Sequence, residues 1–327
     1  MTARTFKRTR SRFAVVASIA AAGIAAAGMM APSAARAQMP PDIVAKIAAL
    51  GRVVDPENTG KIYAPLLEHE PYAGIKVSRD VKYGPDPRNL VDIFVPETRA
   101  AGRPVLMFVH GGGMIRGNKH APGSAFYDNI MVFAARHGIV GVNVEYRLAP
   151  QSPWPAGNED LSAAVHFVAD HAAAYGADPN RIFLMGHSAG ATHVASYVSH
   201  PQFFGPKGSG LAGAILSSGG YDFTQEDGQS EGRIAYFGND PKLLAQRSAV
   251  AGLVKTTIPL MISNAELDPP AIAAQSALLK DALCKSEHGC VRSVVLPHHS
   301  HMSESYAIGT GDTQLSDQIL EFIKNGK

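Results

Sequence analysis

The sequence is poor in charged residues and in cysteine, and it has no internal repeat and no low-complexity linker after Gln38. Charged residues make up 18% of the 327 residues and hydrophobic residues 46%, which excludes a disordered or polyelectrolyte chain. There is no basic stripe and no arginine-rich segment, so we predict no nucleic-acid binding. The length and hydrophobic content suffice for one sizeable core, or at most two small ones.

Cysteine is limited to two residues, Cys284 and Cys290. Two cysteines need further ligands to hold a zinc ion, and their spacing is not a zinc pattern, so we expect no metal site there. In an exported protein, an even pair this close in sequence favours a disulfide that closes a small loop. Two unpaired thiols are the alternative.

The first 37 residues have the composition of a signal peptide. Five basic residues between Arg4 and Arg12 precede an alanine-rich apolar run, and Ala35-Arg36-Ala37 fits the small-x-small cleavage rule. We predict a cleavable signal peptide over residues 1–37, cut before Gln38, and a periplasmic or secreted protein with no stable membrane anchor. A retained anchor is the alternative, which the alanine-rich composition disfavours. The choice between the general and the twin-arginine export route stays open.

Removal of this segment changes the charge of the chain. Residues 1–37 hold six of the 30 basic residues and none of the 28 acidic ones, which leaves a net charge of −4. The basic isoelectric point of about 8.5 therefore belongs to the precursor.

The remaining chain alternates apolar runs with helical segments. Most of the apolar runs are continuous, as in a parallel sheet that is covered on both faces. The pattern predicts a single α/β domain over 38–327, with 221–256 as a lid or pocket insertion. Strands are expected at 75–83, 89–95, 104–109, 138–146, 181–186, 212–218, 258–263 and 291–296, and helices at 40–50, 120–137, 157–175, 189–200, 270–283 and 313–325.

One of these runs ends in Gly186-His187-Ser188-Ala189-Gly190. In a sheet of this type, ligands bind outside the carboxyl ends of the strands. A G-x-S-x-G sequence at a strand-to-helix turn forces a tight bend that exposes the serine hydroxyl. We therefore predict Ser188 as a nucleophile, with an ordinary loop serine as the alternative.

A second apolar run ends in His110-Gly111-Gly112-Gly113. Three glycines let the backbone pass close to a ligand and point amide groups at it, as in the HGGG element that builds an oxyanion hole. A phosphate-binding loop is excluded because neither G-x-G-x-x-G nor G-K-[ST] follows.

A serine nucleophile in this fold needs a later acid and then a histidine. Asp268 follows the 258–263 strand and is the predicted acid, with Glu266 as the competing residue and a helix N-cap as the structural alternative. Three histidines, at 298, 299 and 301, follow the last strand, and His301 is the predicted base.

With these motifs in place, the chain resembles the α/β-hydrolases of the esterase/lipase group over roughly residues 80–325. HGGG, the "EYRLAP" stretch and GHSAG resemble the hormone-sensitive-lipase group. "VKYGPDPRNLVDIFVP" and "HHSHMSE" are closer to bacterial acetyl and feruloyl esterases and arylformamidases. The resemblance implies an α/β-hydrolase fold without a cofactor. Its implied site residues are a triad of Ser188, Asp268 and His301, with oxyanion amides from Gly112, Gly113 and Ala189.

The predicted function is hydrolysis of small or short-acyl carboxylic esters through an acyl-enzyme. An arylformamidase or amidase is the alternative within the same chemistry, and an inactive binding protein is the alternative outside it. Two features depart from the resemblance: His187 stands where relatives often carry Asp, and residues 38–75 match nothing recognised. The acyl length, the alcohol group and the oligomeric state are not predicted.

Overall fold

The core of the computed structural model is one eight-stranded sheet, in the strand order β1-β2-β4-β3-β5-β6-β7-β8. The structure describes residues 1–3, 38–224, 230–287 and 289–326, so the predicted signal peptide lies almost wholly outside the described residues. The strands are β1 (Ile75–Lys82), β2 (Leu90–Pro96), β3 (Arg103–Val109), β4 (Val140–Val144), β5 (Ala177–His187), β6 (Gly213–Ser217), β7 (Leu260–Leu267) and β8 (Arg292–Ser300).

All pairings from β4 to β8 are parallel, and β1 and β2 add two antiparallel strands at one edge. The predicted α/β class with a mostly parallel sheet is therefore confirmed. Each predicted strand is found with ends shifted by a few residues. The largest shifts are in β5, β7 and β8, and β5 begins at Ala177 because that residue already pairs with Arg103 of β3.

Helices cover both faces of the sheet, which leaves a buried apolar cluster on each side. In chain order they are α1 (Pro41–Leu50), α2 (Pro56–Tyr63), α3 (Asp128–Arg136), α4 (Ala156–His171), α5 (Ala189–Ser199), α6 (Glu231–Phe237), α7 (Pro241–Arg247), α8 (Val250–Leu253), α9 (Pro270–Cys284), α10 (Ser303–Tyr306) and α11 (Ser316–Asn325). Within the described ranges, none of them is long and apolar enough to cross a membrane.

The helix expected at 120–137 is shorter than predicted, since α3 begins only at Asp128. Pro122 and Gly123 lie in the turn before it, and Gly123 has a positive φ of 76° that a helix does not allow. Elsewhere in the fold, Cys284, the last residue of α9, forms a disulfide with Cys290.

The described part of the predicted insertion, 221–224 and 230–256, holds three short helices, α6 to α8. Ser230 caps α6 and Asp240 caps α7 through their side chains. Phe223, Tyr236 and Phe237 pack there into an apolar cluster with residues that follow β3 and β5. The insertion therefore forms a wall beside the carboxyl ends of these strands.

The N-terminal helices also reach this edge of the sheet. Ile43 and Ile47 of α1 and Tyr63 of α2 share a buried cluster with Met302 and Tyr306, which follow β8. The segment that resembled nothing in sequence thus packs against the region that follows the last strand.

Candidate active site

Ser188 occupies a strained turn between β5 and α5. Its φ of 57° and ψ of −124° lie outside the regions that non-glycine residues normally adopt. The amide of Ser188 donates to the carbonyl of Ser217 at 2.9 Å, which anchors the turn to the end of β6. A Cβ atom on Gly186 would overlap the carbonyl of Gly190, and one on Gly190 would overlap the carbonyl of Val109. Both glycines are therefore a steric requirement of the turn.

The turn opens Ser188 into a pocket at the carboxyl edge of the sheet. Gly113 and Ala189, two of the predicted oxyanion residues, line this pocket together with Ser188. Met114, Thr192, Phe223 and Ile272 contribute to its walls. The nucleophile predicted from sequence is thus partly exposed and faces a cavity with mixed apolar and polar walls.

The glycine loop passes directly beside Ser188. A Cβ atom on Gly111 would lie only 3.1 Å from the Cβ atom of Ser188. Gly112 and Gly113 have φ values of 129° and 61°, which favour glycine, and a Cβ atom on Gly112 would overlap the carbonyl of Arg116. The sequence Gly-Gly-Gly is what lets this backbone approach the serine.

The "EYRLAP" stretch holds the glycine loop in place. Nε2 of His110 lies 2.8 Å from Oε1 of Glu145, and the hydroxyl of Tyr146 donates to the carbonyl of His110 at 2.8 Å. The ring of Tyr146 also stacks on that of His110, with centroids 4.4 Å apart. Arg147 has a different partner, Asp160, at 2.8 Å, and the pair anchors the next turn.

Asp268 and His301 form a fully buried pair. Nδ1 of His301 donates to Oδ1 of Asp268 at 2.8 Å. Oδ2 of Asp268 accepts from the amide of Ala265 at 2.9 Å and from the hydroxyl of Ser218 at 2.7 Å. The N-cap of α9 is Pro269 and not Asp268, which leaves this carboxylate to the histidine.

The competing acid and bases have other partners. Glu266 is exposed and accepts from the amide of His298, which is itself exposed. His299 is buried, but its ring lies between the hydroxyl of Ser303 at 3.1 Å and the carboxylate of Asp312 at 3.0 Å. Two candidate acid–base pairs are therefore formed: Asp268 with His301 in the buried interior, and Glu266 with His298 at the exposed surface.

Sequence reasoning missed a second buried acid behind this pair. Both carboxylate oxygens of Glu304 are held by serines, Oε2 by Ser218 and Oε1 by Ser263 at 2.6 Å. Burial, followed by the nearby charge of Asp268, raises the pKa of Glu304 to about 8. Glu304 is therefore mostly neutral at pH 7.

A neutral Glu304 resolves the proton balance at Ser218. The single hydroxyl proton of Ser218 cannot be donated to both carboxyl groups. If Glu304 donates its own proton to Ser218, the serine can donate to Asp268. The "HHSHMSE" motif contains Glu304, but no pattern in the sequence indicates that Ser218, which follows β6, lies between the two acids.

His187, the residue that departed from the family pattern, contacts the loop that carries His301. Its Nε2 donates to the backbone carbonyl of His301 at 2.8 Å. Burial, and then the nearby ring of His301, holds the pKa of His187 well below its usual value. His187 is thus a neutral donor that ties the end of β5 to the backbone of His301.

Two family models match the chain. The model described as the prolyl oligopeptidase family matches residues 153–326. A second model, described as BD-FAE, matches residues 91–202. Together they span the strands that carry HGGG, GHSAG, Asp268 and His301.

Curated relatives show similar matches. A probable isoprenylcysteine alpha-carbonyl methylesterase of Arabidopsis thaliana is 37% identical over 134 residues, which is 41% of this chain and 27% of the relative. Esterase LipQ of Mycobacterium tuberculosis is 27% identical over 274 residues, 78% of this chain and 63% of the relative. The chain spans less than a third of the length of the methylesterases that it matches.

Among solved structures, an inhibited esterase B from Lactobacillus rhamnosis superposes with a TM-score of 0.67. The identity is 16%, and the match covers 87% of this chain and 96% of that one. At this identity the match shows a shared fold.

Proposed function

The chain belongs to the prolyl oligopeptidase family and has the α/β-hydrolase fold, and on this premise we propose that it is a serine esterase. Its substrates would be carboxylic esters that are small or carry a short acyl group, and Ser188, His301 and Asp268 would form its triad. The observation that carries the proposal is the buried Asp268–His301 pair at the same sheet edge as the strained turn of Ser188. Several relatives that carry the name esterase support the same reaction.

In the proposed acylation step, Nε2 of His301 takes the proton of Ser188, and Oγ of Ser188 attacks the ester carbonyl carbon. The carbonyl oxygen becomes an oxyanion, which the amides of Gly112, Gly113 and Ala189 would stabilise. His301 then gives the proton to the leaving alcohol, and the acyl group stays on Ser188. General acid–base catalysis of this kind contributes about 10²–10⁴-fold.

In deacylation, a water molecule takes the place of the alcohol. His301 accepts a proton from the water, the hydroxide attacks the acyl carbon, and the proton returns to Ser188 as the carboxylic acid leaves. Asp268 holds the imidazole in the tautomer that keeps the proton on Nδ1 and stabilises its charged form. The amide of Ala265 and the hydroxyl of Ser218 orient that carboxylate.

A limited pocket supports short substrates. Phe223, Arg233 of α6 and Ile272 of α9 line the pocket together with Ser188. Methylene groups beyond a short acyl chain would have to displace these side chains. We therefore expect activity to fall as the acyl chain lengthens.

We also propose that the protein is exported and that residues 1–37 are removed before Gln38. The basic start, the apolar run and the A-x-A site support export, and so does the disulfide, since such bonds persist in oxidising compartments. Mass spectrometry of the protein recovered from the periplasm or medium should find Gln38 as the first residue. A chain recovered intact in the membrane fraction would instead indicate a retained anchor.

The esterase proposal is tested by a fluorophosphonate probe and a series of p-nitrophenyl esters from acetate to palmitate. We expect labelling of the wild type, loss of labelling in Ser188→Ala, and normal labelling in Ser162→Ala, which changes a serine on α4. Highest turnover is expected for acetate to butyrate. Full labelling of Ser188→Ala would contradict the proposal. Faster turnover of formanilides than of every ester would favour the amidase alternative.

A further inference from the structure

Arg233 is a buried arginine in the wall of the serine pocket. Only 7% of its surface is exposed, and it lines the same pocket as Ser188. Its Nη1 donates to the carbonyl of Phe223 at 3.3 Å, but its Nη2 has no hydrogen-bond partner among the described residues. Burial alone lowers the pKa of Arg233, with no contribution from a nearby carboxylate.

Three other arginines with largely buried side chains have hydrogen-bond or ion-pair partners for their guanidinium groups. Arg79 binds Asp92 at 2.9 Å, and Arg147 binds Asp160 at 2.8 Å. Arg103 has no carboxylate partner, but backbone carbonyls and a threonine hydroxyl hold its guanidinium. A buried charge without such partners costs free energy, so buried charges in proteins are normally paired. In Arg233, by contrast, Nη2 is buried without any partner, and the residue lies in the pocket wall.

Arg233 is also close to the predicted oxyanion loop. A Cβ atom on the preceding Gly232 would overlap the carbonyl of Gly113, so α6 packs directly on that loop. The hydroxyl of Ser230 accepts from the amide of Arg233 at 3.2 Å, which leaves its own proton available to a ligand. A short substrate attached at Ser188 can therefore extend towards a guanidinium group and a hydroxyl donor.

The acidic residue of the pocket lining, Asp222, has other partners. Its Oδ1 accepts from the amide of Thr224 at 2.9 Å and from the hydroxyl of the same residue at 2.7 Å. No ion pair joins it to Arg233 in the described part of the chain. The guanidinium group of Arg233 in this wall thus remains available for a bound anion.

We propose that Arg233 binds a carboxylate group carried by the ester substrate, so that the preferred substrates are half-esters or other esters with a carboxylate near the scissile bond. The proposal rests on the esterase function above. A carboxylate fits because a guanidinium group binds it through two parallel hydrogen bonds. The ion would supply the partner that Nη2 lacks.

Matched substrate pairs test this proposal in a pH-stat. Monomethyl succinate and methyl succinamate differ by a carboxylate against an amide on the acyl side, and acetoxyacetate and acetoxyacetamide do so on the alcohol side. We expect the wild type to prefer the acid in one pair by at least about tenfold in kcat/KM, because the charge-assisted hydrogen bonds form only with the carboxylate. Which pair shows the preference tells which side of the ester faces Arg233.

In Arg233→Met, kcat/KM for the preferred acid should fall about 10- to 100-fold while the matching amide stays within about threefold, because only the acid loses a charged partner. In Arg233→Lys, kcat/KM for the acid should lie between the values for wild type and Arg233→Met. Lysine keeps the positive charge but cannot donate the two parallel hydrogen bonds of a guanidinium group. Arg247→Met, a change to an arginine of α7 outside the pocket lining, is the control for overall charge and should leave the ratio unchanged.

Equal turnover of acid and amide by the wild type in both pairs would overturn the proposal, as would an equal loss for both in Arg233→Met. Should Arg233→Met not fold, inhibition of the wild type decides: stronger inhibition by succinate than by succinamide supports the site, and equal inhibition contradicts it. A wild type that cleaves none of these esters or the p-nitrophenyl series would instead contradict the esterase function itself.

Discussion

Nδ1 of His301 lies 2.8 Å from Oδ1 of Asp268, while Nε2 of the same ring has no hydrogen-bond partner in the described ranges. One nitrogen of the imidazole is thus committed to the acid, and the other is available to take a proton. This division of the two nitrogens is what a general base needs, because the bond at one nitrogen sets the tautomer at the other.

Asp268→Asn tests the role of the acid. The amide cannot hold the imidazole in the same tautomer, so kcat should fall by about 10⁴-fold, the loss known for this change in a Ser-His-Asp triad. Kinetics with p-nitrophenyl acetate measure the effect. Glu266→Gln is the matched control, since Glu266 is exposed and bonds to the amide of His298, and it should keep near-normal activity. The opposite ranking would assign the acid to Glu266.

Glu304→Gln tests whether Glu304 is neutral in the fold, through the pH dependence of the free energy of unfolding. The pKa of Glu304 is about 8 in the fold against a usual 4.5, so the folded state binds more protons than the unfolded state between these values. The free energy of unfolding should therefore fall as pH rises from about 4.5 to 8, by at most about 1.4 kcal/mol per pH unit.

Urea unfolding of wild type and Glu304→Gln across this range measures the difference. The variant should lack this contribution, so its stability relative to wild type should rise with pH. Glu321→Gln, a change to a glutamate on α11 outside the Asp268 network, is the control. If the difference in free energy of unfolding between wild type and Glu304→Gln does not change with pH, Glu304 is ionised in the fold.

His187→Phe tests the tie between β5 and the base loop. The depressed pKa of His187 means that the unfolded state binds a proton that the folded state does not, so wild-type stability is lost as pH falls below about 6.5. The variant should be less sensitive to acid, and it should also lose activity because the carbonyl of His301 loses its donor. Urea titrations at pH 5 and 7, with kcat measured at pH 7, give both readouts. Unchanged acid sensitivity would contradict a neutral His187.

Gly190→Ala tests the steric account of the Ser188 turn. The added methyl group would overlap the carbonyl of Val109 on β3, so the variant should lose probe labelling and several kcal/mol of stability or fail to fold. Gly311→Ala is the control, because nothing lies within 4 Å of its added methyl group. Thermal unfolding and fluorophosphonate labelling check both variants. A fully labelled Gly190→Ala would show that the turn tolerates a side chain.

The double variant Cys284→Ser/Cys290→Ser tests the disulfide. Closing so short a loop limits the unfolded chain and is worth about 2 kcal/mol in the loop-entropy relation. Denaturant titration should show a loss of that order. A thiol reagent added under denaturing, non-reducing conditions should find no free thiol in the exported wild type, and reaction of both thiols would contradict the bond.

The local features of this chain could be read from its sequence. Continuous apolar runs predicted the parallel strands, and the spacing of glycines around Ser188 and in HGGG predicted two sharp loops at one sheet edge. These predictions succeed because steric exclusion and strand burial act over a few residues. The helix expected from residue 120 failed for the same local reason, since the turn at Gly123 delays α3.

The hydrogen-bond network behind the proposed triad could not be predicted in this way. Ser218 and Asp268 follow β6 and β7, Glu304 lies on α10 after β8, and the order of these strands brings the three residues together. Burial, which changes the pKa of Glu304, is likewise a property of the packed molecule. The unpaired guanidinium of Arg233 is visible only when its surroundings are known.

Arg52, between α1 and α2, donates to the backbone carbonyl of Asp268 at 3.1 Å, and the α1–α2 cluster packs on Met302 beside His301. Neither family model reaches this segment, since their matches begin at residues 91 and 153. The loops that carry the predicted acid and base are therefore braced by a segment that neither family model matches. A variant that lacks residues 38–75 would keep Ser188, Asp268 and His301 and lose the contacts that brace the loops of the last two.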